Sequence, residues 1–178
     1  MHKALYKTPK MKTKAIHISL FFVMLMQQSC GIYSFTGASI PPETKTFSVQ
    51  QFPNNALLVE PLLSDQFSNA LRDRFMNQTS LQMINANGDL DFEGEITEYV
   101  TSPVAIQSDQ TAALNRLTIT VNVRFTNKFD ESKSFESKFS QYVDYPSSQD
   151  LNSVKDGLMT EIIDMLVDNI FNKAVVNW

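Results

Sequence analysis

Four carboxylates alternate along one short stretch of the sequence, at Asp89, Asp91, Glu93 and Glu95. Paired carboxylates can serve as general acid and base, and clustered carboxylates can bind calcium. A spacing of two residues places all four on one face of a strand, about 7 Å apart at each step, which is too far for one ion to gather them without a loop. We therefore favour a solvated strand face whose charges pair with cations on a neighbouring strand.

A row of basic side chains follows on a later predicted strand, at Arg116, Arg124 and Lys128. The favoured interpretation is that this row neutralises the carboxylates. The other interpretation is that the row binds a phosphorylated ligand, because a guanidinium group offers two parallel donors to phosphate oxygens. The sequence leaves both open.

Chemistry that depends on imidazole or thiolate is nearly excluded. Both histidines, His2 and His17, precede the only cysteine, Cys30. Ser-His-Asp triads, Cys-His triads and nearly all zinc sites need one of these groups. The sequence also shows no motif for an enzyme that uses carboxylates alone or a Ser-Lys pair. We predict a protein that is not an enzyme and that has no catalytic residues, metal or cofactor.

The N-terminal region has the charge pattern of an export signal. Five lysines precede an uncharged apolar run at residues 15–26. The run is too short for a stable bilayer span, which needs about 20 residues, and its length suits a secretion signal. A start at either Met1 or Met11 leaves this pattern intact.

The only cysteine lies just beyond the apolar run. Ser29 precedes Cys30 and Gly31 follows it, which resembles a lipoprotein signal, in which the thiol is acylated and becomes the first residue of the mature chain. Gln27 stands where that pattern prefers leucine. Two or more acyl chains anchor a protein stably. We predict a signal peptide at residues 1–29; a general secretory signal with an incidental thiol is the alternative.

The predicted mature chain, residues 30–178, consists of a lipid-anchored tether at 30–46 and a single domain at 47–178. Without the five leader lysines, the 15 basic residues fall to 10 against 19 acidic residues, a formal charge of −9. Because lysine and arginine are what bind a phosphate backbone, the sequence predicts no nucleic-acid partner.

Hydrophobic periodicity predicts the first elements of the domain. Residues 44–52 have the pattern of a short strand. Apolar residues at spacings of three and four then predict a helix from Leu62 to about Gln78, with Pro61 or Ser64 at its start.

The middle of the chain has strand patterns throughout. Asn87-Gly88 predicts a hairpin that joins the stretch "LQMI" to the carboxylate strand. Residues 116–128 alternate strictly between apolar and polar side chains, and a turn near Asp130 leads to another strand at 134–145.

A long C-terminal helix completes the pattern after a cap at Ser147, Ser148 or Asp150. The order of elements predicts an α+β fold: a two-layer sandwich in which a mostly antiparallel sheet of about four strands is covered on one face by two helices. Several apolar residues near the chain ends fall outside these patterns and are candidate partner contacts. They are Phe35, Ile40, Val175, Val176 and Trp178.

Four stretches of the chain are distinctive as a set. They are "CGIYSFTGASIPPETKTFSVQQFPNNALLVEPLLSDQFSNALRDRF", "GDLDFEGEITEYVTSPVAI", "NRLTITVNVRF" and "IFNKAVVNW". Together they resemble the short form of the LptE family of lipopolysaccharide-assembly lipoproteins, and the likeness spans Cys30 to Trp178.

The resemblance implies a lipoprotein of the outer membrane, on its periplasmic side, whose α+β domain plugs the lumen of the LptD β-barrel. The two proteins would insert lipopolysaccharide into the outer leaflet, and the lipoprotein would also contact the glycolipid. By the same resemblance Cys30 matches the acylated cysteine and residues 31–43 match the tether. No glycolipid-contacting positions carry over from longer relatives, so Arg116, Arg124 and Lys128 remain candidates from charge and strand facing alone.

Two other functions stay open from the sequence. A lipid-anchored periplasmic module that binds an amphiphile or scaffolds another envelope complex predicts an apolar groove between the helices and the sheet. An enzyme acting on cell-wall or lipid substrates predicts a buried pair of carboxylates in a cleft, and the alternating carboxylates argue against it.

Overall fold

The computed structural model describes residues 40–58, 60–104 and 113–176. The predicted signal peptide, Cys30, Phe35 and Trp178 lie outside these residues. Within them, no helix combines the length and the apolar character needed to cross a membrane.

The described residues form one five-stranded sheet and two long helices. The strands are arranged in the order β2-β1-β3-β4-β5. In chain order the elements are β1 (Thr46–Val49), α1 (Leu63–Gln78), β2 (Gln82–Met83), β3 (Leu90–Val104), β4 (Leu114–Asn127), β5 (Phe135–Pro146) and α2 (Leu151–Phe171), followed by a short π-helical turn (Asn172–Val176).

The predicted hairpin at Asn87-Gly88 is wrong. β1 lies between β2 and β3 and is parallel to both, so the two strands on either side of the turn do not pair with each other. Asn87 does adopt the left-handed backbone that a turn needs, with φ of 57°. Gly88 then passes so close to β1 that an added Cβ would lie 2.6 Å from the backbone nitrogen of Ser48.

The three long strands form an antiparallel meander, as their alternation predicts. β4 pairs with β3 on one side and with β5 on the other. From Arg116 to Phe125 its odd-numbered residues are fully or almost fully buried, while its even-numbered residues are polar. The turn predicted near Asp130 is confirmed, since the Asp130 side chain accepts a hydrogen bond from the backbone N–H of Ser132.

Both predicted helices are confirmed, with a correction to the start of the first. The N-cap of α1 is Leu62, which makes no side-chain capping bond; the Ser64 hydroxyl instead donates to the carbonyl oxygen of Phe52. Asp150 caps α2 by accepting from the N–H of Asn152, at 3.3 Å.

The core lies between the helices and one face of the sheet. Phenylalanine rings run across it, with Phe75 of α1 against Phe92 of β3 at 4.7 Å and Phe92 against Phe125 of β4 at 4.8 Å between ring centres. Val175 is completely buried in this core, contrary to its expected exposure, whereas Val176 remains partly exposed. Burial of such rings, at about 1.5–3 kcal/mol each, is what holds the two layers together.

The α+β class and the two helices over one face are therefore confirmed. The sheet of the described residues has five strands where about four were predicted, and one of the five is the two-residue β2 within the stretch "LQMI". Two of its four neighbouring pairs are parallel, although the long pairs are antiparallel.

Candidate functional site

The face of the sheet opposite the helices is polar across three strands. Alternate residues of a strand point to opposite faces, so the residues that do not enter the core form this surface. No helix of the described chain covers it. We call it the polar face, and define it by Glu93, Glu98, Arg116, Thr118, Thr120, Asn122, Arg124, Glu136, Lys138, Ser140, Tyr142 and Asp144.

Arg116 occupies one end of the polar face and is held by β5. Its Nε and one terminal nitrogen donate to the two carboxylate oxygens of Asp144, at 2.7 and 2.9 Å. Its guanidinium carbon lies 3.6 Å from the centre of the Tyr142 ring. The hydrogen bond from Arg116 lowers the pKa of Asp144 below its ordinary value. The fork that could receive a phosphate is thus occupied by a carboxylate.

The middle of the polar face is a hydrogen-bonded network that the sequence analysis missed. The Thr120 hydroxyl lies 2.7 Å from a carboxylate oxygen of Glu98 and 2.9 Å from the Ser140 hydroxyl. Lys138 donates to the other oxygen of Glu98 at 3.2 Å. The Thr120 hydroxyl, followed by Lys138, lowers the pKa of Glu98. Alternation of polar residues at 136–144 was the available signal for this network.

Arg124 marks the other end of the polar face. It donates to Glu93 at 2.8 Å and lies 3.5 Å from a carboxylate oxygen of Glu136. Beside it is a cleft of about 270 Å³. Its lining consists of Pro53, Glu93, Gly94, Glu95, Asn122, Arg124 and Glu136.

The four alternating carboxylates do not act together. Asp89 is largely buried and accepts from the backbone N–H groups of Lys45 and Thr46, at 3.0 and 3.1 Å, so that it fixes the start of β1. Asp91 accepts from Ser48, and the other two face different partners: Glu93 faces Arg124, and Glu95 accepts from the Asn55 side chain at 2.6 Å. No group of three potential metal ligands occurs among the described residues.

The three predicted ligand-binding residues do not converge. Arg116 and Arg124 are eight residues apart on one strand, a separation of about 27 Å. Lys128 lies next to Asp89, at 3.5 Å between nitrogen and oxygen. Arg124 and Lys128 therefore neutralise Glu93 and Asp89, as the favoured interpretation predicts. Arg116 instead pairs with Asp144 of β5.

Of the predicted partner contacts, the described residues include Val175 and Val176, which were placed above, and Ile40. The side chain of Ile40 is partly buried and packs against the core. This placement leaves part of the side chain accessible, and the contact with a partner stays a prediction.

Comparison with known proteins assigns the family. The model of the lipopolysaccharide-assembly family LptE matches residues 44–174. The chain belongs to the LptE family. The match covers every described strand and helix, including the whole polar face. No curated protein matches the sequence.

Several solved structures are similar to the chain at low sequence identity. A hypothetical protein from Chlamydia trachomatis has a TM-score of 0.50 and 11% identity, over 74% of this chain and 98% of that chain. A minor lipoprotein from Acinetobacter baumannii has a TM-score of 0.49 and 15% identity, over 75% and 92%. The rare lipoprotein B from Shewanella oneidensis has a TM-score of 0.42 and 9% identity, over 71% and 89%. The first of these shows a shared fold and nothing beyond it.

Proposed function

We propose that this member of the LptE family is an outer-membrane lipoprotein that plugs and supports an LptD-type β-barrel and helps it insert lipopolysaccharide into the outer leaflet. Acylated Cys30 anchors it on the periplasmic side. The protein works as a structural partner rather than as an enzyme and needs neither a metal nor a cofactor.

The polar face is the observation that carries this proposal. The lumen of a large outer-membrane barrel is polar. A surface that contacts such a lumen must present hydrogen-bonding groups and leave room for bridging water. On the polar face the charges are already paired with one another, as Arg116 is with Asp144. When the domain enters a confined polar space, Arg116 and Asp144 therefore keep each other's charge compensated.

The ends of the polar face differ in their capacity to bind a glycolipid phosphate. The side chains of Arg124 and Lys128 are 58% and 64% exposed and make one-donor or long contacts with carboxylates. Arg116 is more enclosed and its fork is fully used by Asp144. We propose that Arg124 and Lys128 contact lipopolysaccharide, and that Arg116 does so only if Asp144 is displaced.

The alternative is a lipid-anchored binding or scaffold module of another envelope complex. It predicts an apolar groove between the helices and the sheet. In the described residues that space is filled by the packed rings of Phe75, Phe92 and Phe125. An apolar cleft of the described residues lies instead at an edge of the sheet, beside Leu57 and Leu58.

The test is an affinity pull-down of the tagged full-length protein from detergent-solubilised outer membranes, with mass spectrometry of the recovered proteins. We expect a large β-barrel protein in a near one-to-one ratio. Recovery of the lipoprotein alone, or only with soluble periplasmic proteins, would remove the plug proposal and favour the binding module.

The anchor is tested separately with Cys30→Ala. Because Cys30 precedes the whole folded domain, the variant should keep its thermal stability while leaving the membrane fraction after a high-salt wash. A variant that stays with the membrane shows that a barrel contact or a retained leader holds the protein in place of acyl chains.

A further inference from the structure

The sheet has an open edge along the second half of β3. The chain that follows β1 stays bonded to β3 only as far as Ile96, whose N–H donates to the carbonyl of Pro53 and whose carbonyl accepts from the N–H of Asn55, both at 2.9 Å. From Thr97 to Val104, β3 pairs with β4 alone, and no described residue bonds to the backbone on its outer side.

The register shows which backbone groups face outward there. Ile96 points its N–H and C=O away from β4, but the register shifts by one residue between Ile96 and Glu98. Because the two sides alternate along an antiparallel strand, Glu98, Val100 and Ser102 then bond to β4 and the residues between them face outward. Tyr99 and Thr101 thus present two N–H and two C=O groups to the open edge.

Pro103 agrees with this assignment. Pro103 is two residues after Thr101, so its backbone faces the same outer side of β3. Proline lacks an N–H and is tolerated in a strand only where the neighbouring strand needs no hydrogen bond from that position. The proline also limits any added strand, because the open edge offers no donor beyond Thr101. The usable edge is therefore Thr97 to Ser102.

Exposed apolar side chains lie next to this edge. A cleft of about 460 Å³ separates Thr97–Thr101 from Leu57 and Leu58. Leu57 is fully exposed, and Leu58 and Val100 are 54% and 47% exposed. Proteins normally cover or charge a free strand edge, since its unpaired groups are a template for another strand. Here the edge lies beside exposed leucines.

We propose that Thr97–Ser102 is a docking site for an extended segment of another protein chain. The segment adds a strand to the sheet by bonding to the outward backbone groups of Tyr99 and Thr101. Its apolar side chains pack against Leu57, Leu58 and Val100. Main-chain hydrogen bonds supply affinity in such strand addition, and pockets for alternate side chains supply selectivity.

No other described segment of this chain fills the site. The described residues before β1 run beside Asp89, where Lys45 bonds, and Thr97 lies eight residues farther along β3, about 27 Å away.

Charge argues against a second copy and for a partner with basic residues. Residues 30–178 carry a formal charge of −9. Two copies joined here would bring like charges together, which disfavours self-association. A segment with alternating apolar residues and flanking lysine or arginine complements both the exposed apolar side chains and the negative charge of the domain.

The experiment uses the full-length protein in detergent and a fluorescent seven-residue probe peptide of alternating valine and threonine with a lysine at each end. Binding is measured by fluorescence anisotropy. The matched control peptide has N-methylated valines, which cannot donate a hydrogen bond. We expect the control peptide to bind about tenfold or more weakly, because each lost bond costs about 1 kcal/mol and 1.4 kcal/mol is tenfold.

The matched protein variants are Thr101→Pro and Thr101→Ser. Thr101→Pro removes an outward N–H that bonds to nothing in the described chain, so the fold should persist while probe affinity falls about tenfold. Thr101→Ser should bind like the wild type. If Thr101→Pro does not fold, the comparison of the two peptides still decides the question.

Three results would overturn the proposal. Equal binding of the two peptides would show contact without strand addition, and no binding at millimolar probe would show that the edge is not a docking site. A wild-type dimer in sedimentation equilibrium that Thr101→Pro dissociates would make a second copy the occupant. None of these results depends on recovery of a barrel in the pull-down, so this proposal and the proposed function can fail separately.

Discussion

The two faces of β4 are built from alternate residues of one strand, yet they serve opposite purposes. Toward the helices, Leu117, Ile119 and Val121 are completely buried and hold the layers together. On the polar face, Thr118 and Asn122 are half-buried and Arg124 is exposed, with charges paired across strands. The core face thus determines stability, while the polar face is free to be matched to a partner.

The largest expected effect comes from opening the core face. Phe92→Ala removes a ring that contacts both Phe75 and Phe125. The resulting cavity should lower the free energy of unfolding by about 3–5 kcal/mol. Urea denaturation of wild type and variant measures this. Phe129→Ala, which truncates a half-exposed ring, is the control and should change stability by less than about 0.5 kcal/mol; similar losses in the two variants would contradict the assigned core.

The contribution of Asp89 to stability is expected to depend on pH. Hydrogen bonds from the backbone of Lys45, followed by those of Thr46, lower the pKa of Asp89 from its ordinary value of 3.8. A lowered native pKa gives stability that is present above the unfolded value and is lost as pH falls through the native value. Asp89→Asn should therefore cost about 1–3 kcal/mol at pH 7.

The difference in stability between Asp89→Asn and wild type should shrink as the pH falls below the ordinary value of 3.8 and Asp89 of the wild type becomes protonated. Urea titrations at pH 7 and pH 3 measure it. Glu161→Gln, on the exposed side of α2, provides the matched loss of a charge. A gap between Asp89→Asn and wild type that does not change with pH would show that these hydrogen bonds do not depend on the charge.

Arg116 should matter much less to stability. Its pair with Asp144 is partly exposed, and exposed ion pairs contribute little after screening by water and salt. Arg116→Ala should thus give a smaller shift in Tm than Asp89→Asn, and a double-mutant cycle with Asp144→Ala measures the coupling. A destabilisation as large as that of Phe92→Ala would mean that the polar face also holds the fold together.

The smallest effect on stability, and the sharpest contrast with the core, is expected for Thr118→Trp. Thr118 is half-buried on the polar face opposite Tyr142. A large ring there should leave the free energy of unfolding within about 0.5 kcal/mol of wild type. It should nonetheless reduce the barrel protein recovered in the pull-down, because it obstructs a closely fitting partner. Glu161→Trp, on the outer side of α2, is the control; equal losses of partner in the two variants would show that the polar face is not the contact surface.

The sequence predicted the elements better than their pairing. The three-and-four spacing found both helices, and the alternation at 116–128 found β4 and its buried face, since these are local consequences of helix and strand geometry. The hairpin at Asn87-Gly88 failed although Asn87 has the expected left-handed backbone. Burial of Phe47 decided that pairing by drawing β1 into the sheet between the strands on either side of the turn.

The candidate site shows the same division. Alternation predicted that Arg116, Arg124 and the carboxylates would face away from the core. It could not predict that Asp144 occupies the fork of Arg116, because that contact depends on the register between β4 and β5. The register also brings Glu98, Thr120 and Lys138 together, and the sequence pattern indicated these contacts only weakly.

By itself, the sequence determined the class of the fold, the two faces of the strands, the acidic charge of the domain and the lack of histidine and cysteine after Cys30. Each follows from composition or from periods of 2 and 3.6 residues, which do not depend on distant contacts. Only the tertiary structure decided that β1 separates β2 from β3, that the charges of the polar face are paired, and that the register shift after Ile96 turns Tyr99 and Thr101 toward an open edge. The physical reason is that strand neighbours and register are fixed by the burial of side chains far apart in sequence, and a shift of one residue changes which groups face a partner.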